Sequence, residues 1–87
     1  MLFRNLRAKK ELDGIIHEID VNLANNYKSV AHDNRKKLIE RTEALNQAGA
    51  LKEKDYQYYR MRYETYTQVM KDYHHENGRI YDSQYFI

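Results

Sequence analysis

Leu12, Ile16, Ile19 and Leu23 recur at alternating helical intervals, with Ala8 and Ile15 on the same side and Lys10, Asp13, His17 and Asp20 on the other. One apolar face at this spacing is the signature of an amphipathic α-helix, and it predicts a helix over residues 4–24. Gly14 falls on the outer face, where a helix tolerates glycine at a cost of about 1 kcal/mol relative to alanine. Asn25–Asn26 is the expected first break, because asparagine side chains bond locally and favour turns and caps over helix interiors. A second helix, over 27–48, has a thinner apolar side: Val30, Ala31, Leu38, Thr42 and Leu45. Without the Asn–Asn break, residues 4–48 would form one long helix.

Gly49 marks a second break. Glycine suits the left-handed position that closes a helix, and the apolar Leu51 just beyond it can fold back on the last turn. Glu53 and Asp55 then place acids in the first turn of a third helix, where its dipole favours them. That helix is predicted over 52–76. Its stripe is regular: Tyr56, Tyr59, Tyr63, Tyr66, Met70 and Tyr73 alternate steps of three and four residues, as in a heptad repeat. Gln57, Arg60, Glu64, Gln68, Lys71 and His75 take the opposite face. Beyond Gly78 the segment 78–87 is apolar and aromatic without a clear period. It is read as a strap over the bundle or a docking segment. Nothing in the chain shows sustained alternation or a hairpin turn, so no strand is expected.

From Leu45 to Tyr56 the order of leucine, glycine, aliphatic residue, acids and aromatic is similar to the helix–Gly–helix turn of short C-terminal domains. The stretch departs from that pattern at Lys52, where those domains carry a small capping hydroxyl.

Three helices joined by short turns predict an all-α, up-down-up bundle in a single domain spanning 1–87, with a long helical hairpin completed by dimerisation as the alternative. Charge agrees with the folding back. Residues 1–10 hold Arg4, Arg7, Lys9 and Lys10 and no acid, whereas 11–26 hold Glu11, Asp13, Glu18 and Asp20 and no base. Folding at Asn25–Asn26 brings Glu11, Asp13 and Glu18 level with Arg41, Lys37 and Arg35. Folding at Gly49 brings Glu40 towards Arg60 and Lys36 towards Glu64. Opposite charges at both seams favour this arrangement over one that apposes like charges.

At 87 residues a lone core buries only about 60% of the unfolded surface, so association is an expected source of stability. Tyrosine strengthens that expectation. There are nine, and a buried tyrosine needs a partner for its hydroxyl, while at an interface the ring offers stiff area with one wettable end. The stripe Tyr56, Tyr59, Tyr63, Tyr66, Met70 and Tyr73, with Tyr85 and Phe86 of the tail, is therefore the candidate interface. It would serve a dimer of the chain or a protein partner, and the expected function is a non-enzymatic protein–protein interaction or assembly module.

The alternative is a small accessory nucleic-acid-binding protein using Arg4, Arg7, Lys9, Lys10, Arg35, Lys36, Lys37 and Arg41. The N-terminal group is the more telling, since bases in the first turns oppose the helix dipole. With Leu2, Phe3 and Leu6 beside them they suit an anionic surface, nucleic acid ahead of membrane because so short a stretch makes a poor membrane anchor. Enzyme activity is not expected: no nucleophile elbow, phosphate-binding glycine loop or His-Glu-x-x-His occurs. No cofactor or structural metal is expected either, because His17, His32, His74 and His75 lie on polar faces without a Glu-x-x-His. There is no cysteine, no secretory signal and no apolar run long enough to cross a bilayer, which reads as a cytoplasmic protein.

Overall fold

The computed structural model describes residues 2–71, and these form three helices: α1 (Leu2–Ala24), α2 (Lys28–Gln47) and α3 (Glu53–Val69). No strand occurs among the described residues, and the chain is an all-α three-helix bundle. The single-helix alternative over 4–48 is ruled out by the turn at Asn25–Asn26.

Both turns use the same device. Asn26 sits in the left-handed region at φ 62°. Its N–H donates to the Leu23 carbonyl at 3.0 Å and the Tyr27 N–H to the Asn22 carbonyl at 2.7 Å. At the second turn Gly49 has φ 74°. The Gly49 N–H donates to Asn46 at 3.0 Å and the Ala50 N–H to Leu45 at 2.9 Å. Each turn is a Schellman motif, in which crossed backbone bonds satisfy carbonyls that the ending helix leaves bare. Lys52 caps α3 with no side-chain bond of its own, and its own N–H is taken from α1, by Oδ1 of buried Asn5 at 2.9 Å.

The core is Ala8, Leu12, Ile15, Ile16 and Ile19 of α1, Ala31 and Leu38 of α2, Ala50 and Leu51 of the turn, and Tyr59, Tyr66 and Met70 of α3, with Leu23, Leu45, Tyr56 and Tyr63 packed around it. The α1 stripe points inward as its spacing requires. On α2, Ala31, Leu38 and Thr42 are buried but Val30 is exposed. Val30 was expected inside; the buried row passes through Ala31 instead, and Val30 lies about 100° round the helix from its neighbour. Small Ala31 lets α1 and α2 approach closely, and theirs is the most extensive helix pair in the bundle. Tall tyrosine side chains set α3 further off.

The third helix ends earlier than the expected residue 76. Met70 closes it with φ −104° and ψ 13°, and residues 72–76 lie outside the described residues, as do Tyr73 and the tail 78–87. β-Branched residues crowd this last stretch (Thr65, Thr67 and Val69), and their stiff side chains lower helix propensity.

Candidate interaction surface

The tyrosine stripe faces the bundle. Tyr59 is 1% exposed and Tyr66 and Met70 are also buried, while Tyr56 and Tyr63 are half-buried at the edge of the core. Each of the four stripe tyrosines among the described residues finds a carboxylate. Tyr59 donates to Asp13 Oδ1 at 2.7 Å, and one heptad on Tyr66 donates to Asp20 Oδ1. Both pairs span 46 residues, so α1 and α3 run parallel and in register. On the other flank Glu43 of α2 accepts Tyr56 on both oxygens at 3.0 Å and Tyr63 on Oε2. Five aromatic and thioether side chains therefore pack inward without orphaned hydroxyls, because the acids stand at the rim of the core and accept from it.

These bonds hold the phenols protonated. Burial, then the bond to Asp13, pushes the Tyr59 hydroxyl above its usual range. Burial and then Glu43 do the same for Tyr63, and for Tyr56 the bond to Glu43 comes first. Tyr66 is raised by burial and by Asp20, with Arg62 opposing.

Arg62 lies against the outside of this array. It donates to Tyr58 Oη at 2.9 Å and Tyr66 Oη at 2.7 Å, stacks 5.9 and 5.4 Å from the two ring centroids, and stands 3.9 Å from Asp20. Tyr58 in turn meets Tyr59 edge-on at 5.0 Å. Next to this cluster, Tyr58, Met61, Thr65 and Val69 form a second row down α3, and this one faces solvent: Met61 is 54% and Val69 66% exposed. The heptad stripe in the sequence drew attention to the face that packs inward. The outer row was legible only as an apolar residue every three or four positions, diluted by Thr65.

The predicted charge seams are partly realised. Arg41 grips Glu11 through Nη2 at 3.0 Å and through Nε, holding that carboxyl below its ordinary range. Glu18 accepts from Asn34 at 3.4 Å rather than from Arg35, and Asp13 is taken by Tyr59. Arg35 donates to Thr67 Oγ1 of α3 at 3.0 Å. Arg60 pairs with Glu64 on its own helix at 3.2 Å, not with Glu40, because Glu43 and its tyrosines occupy the α2–α3 seam.

The basic residues separate by face. Lys9 stands 3.8 Å from Asp55, and Lys36 is exposed on α2. Arg4 donates to the carbonyl of Ala48 at 2.7 Å, closing the end of α2. Arg4, Arg7 and Lys10 line a shallow groove floored by Ala8, Leu45, Ala48 and Ala50, with Glu11 at its far end. Helix spacing carries Lys37 and Arg41 onto the same side of the hairpin. Among the described residues no three His, Cys, Asp or Glu side chains gather as a metal site, and no helix is long and apolar enough to cross a membrane. The chain matches no family model, no curated protein and no solved structure.

Proposed function

We propose that the chain is a non-enzymatic helical assembly module that pairs with a second copy of itself through the outer row of α3. The observation that carries this is the exposure of Met61 and Val69 in line with Tyr58 on a helix whose other apolar side is already taken up by the core. Antiparallel pairing about a two-fold axis, the commonest symmetry of small assemblies, sets Tyr58 of one copy near Val69 of the other with Met61 and Thr65 between them. Tyr58 comes to such a contact already oriented, because Arg62 holds its hydroxyl and Tyr59 its ring edge. The adjoining flank offers Gln57, Gln68 and a Glu64 engaged by Arg60, so the pairing brings no uncompensated like charges together.

Sedimentation equilibrium tests it. The expected result is a dimer that becomes a monomer on replacing Met61 and Val69 together with lysine, with the circular dichroism unchanged, since both side chains are exposed. A wild-type chain that stays monomeric at high concentration overturns self-pairing and leaves a different protein as the row's partner.

A further inference from the structure

The first turns of α1 are fastened on one side and bare on the other. Asn5 is buried; it accepts the Lys52 N–H at 2.9 Å and donates to Asp55 Oδ2 at 3.2 Å. Arg4 is bonded to Ala48 and Lys9 stands by Asp55. This end of the helix is held in place, and its opposite face is therefore presented rather than frayed. That face carries Phe3 at 77% and Leu6 at 50% exposed, with Arg7 and Lys10, both exposed, on the same side at helical spacing. Arg7 and Lys10 make no ion pair among the described residues. No acid lies in the first turn; the nearest on the helix, Glu11, is turned to Arg41. Bases here act against the helix dipole, so an external anion stabilises them.

We propose that this face docks on an anionic phospholipid surface, with Phe3 and Leu6 entering the headgroup boundary and Arg7 and Lys10 meeting lipid phosphates. An apolar tip ringed by cations is the composition that interfacial helices use, since apolar burial and charge attraction act together. A nucleic-acid backbone would engage the cations and leave the aliphatic Leu6 in water. This contact is separate from the α3 row and does not depend on it.

Co-sedimentation of the full chain with vesicles tests the proposal, using phosphatidylcholine alone and an equimolar mixture with phosphatidylglycerol. Binding is expected to the mixed vesicles only, weakening as salt rises. Two double variants, Phe3→Ser with Leu6→Ser and Arg7→Gln with Lys10→Gln, should each weaken it by about tenfold or more with helicity retained. Absence of binding to mixed vesicles at low salt overturns the proposal, as does unaltered binding by the Phe3→Ser, Leu6→Ser variant. A duplex DNA or RNA probe that binds through Arg7 and Lys10 and ignores the loss of Phe3 and Leu6, with no vesicle binding, assigns the face to nucleic acid instead.

Discussion

At the scale of single residues, several positions are held below their best local choice. Gly14 lies on the exposed face of α1, and a Cβ added there meets nothing within 4 Å. Gly14→Ala should raise stability by about 0.5–1 kcal/mol, read from the urea midpoint, because it removes backbone entropy from the unfolded chain at no steric cost. Thr42 is fully buried and its Oγ1 has no hydrogen-bond partner among the described residues. An unsatisfied buried hydroxyl costs about 1–3 kcal/mol, so the near-isosteric Thr42→Val should also raise the midpoint. A fall would show that the hydroxyl is satisfied after all. Tyr59 sets the opposite case. Tyr59→Phe keeps the ring in the core and gives up one bond to Asp13, a loss of about 1.5–3 kcal/mol. Tyr59→Ala should cost about 3–5 kcal/mol by opening a cavity. If the two variants were equally unstable, the hydroxyl rather than the ring would be what the core depends on.

At the scale of elements, the two turns show what a sequence reveals and what it conceals. Gly49 was readable because few residues adopt a left-handed backbone without strain, and Asn25–Asn26 because asparagine favours turns over helix interiors; the structure uses Gly49 and Asn26 for the same Schellman closure. Gly49→Ala should therefore destabilise by about 1–2 kcal/mol, even though there is room for the added Cβ. Asn26→Gly should be neutral or stabilising, and Asn26→Val clearly destabilising; thermal melts of the three variants check the order. The α1 stripe was equally legible, since five of its residues are buried at the spacing that predicted them. Three things were not legible. Asn5 accepts the Lys52 N–H from another helix across 47 residues, a relation no local pattern encodes. Asp13 and Asp20 looked like outer-face residues because periodicity sorts polar from apolar and says nothing of acids at the rim that reach inward to a phenol. Glu43 was passed over for the same reason, although it joins two tyrosines of α3 to α2. The ion pair expected of Asp13 gives way to a phenol–carboxylate bond, which suits the edge of a core because only one partner carries charge that must be kept near water.

For the whole molecule, the consequence is that α3 is attached to both other helices by groups with a shared titration. Tyr59 and Tyr66 tie it to α1, and Tyr56 and Tyr63 tie it to α2. All four phenols have folded-state pKa values raised above the unfolded value. A raised pKa means that the folded state keeps the proton the unfolded chain loses first. The stabilisation is fully present below the unfolded tyrosine pKa of about 10 and is lost as pH climbs from there through the folded values. Ionised phenolates would also face Asp13, Asp20 and Glu43 as like charges. On the acid side the exposed Glu11–Arg41 pair works in the opposite sense. The Glu11 pKa is lowered, so its small contribution is present above the ordinary carboxylate range and fades as pH falls through it. Melting temperature followed against pH should therefore fall more steeply above about 10 than below about 5. After the exposed tyrosines have ionised, the remaining rise in tyrosinate absorbance should coincide with loss of the helical signal, because the four phenols that pack against the core ionise only as α3 comes away. A Tyr56→Phe, Tyr63→Phe variant should lose part of the alkaline slope while keeping the acid one. If wild-type melting stayed flat up to the pH at which exposed tyrosines are fully ionised, the four phenol–carboxylate bonds would not be what holds α3 to the hairpin.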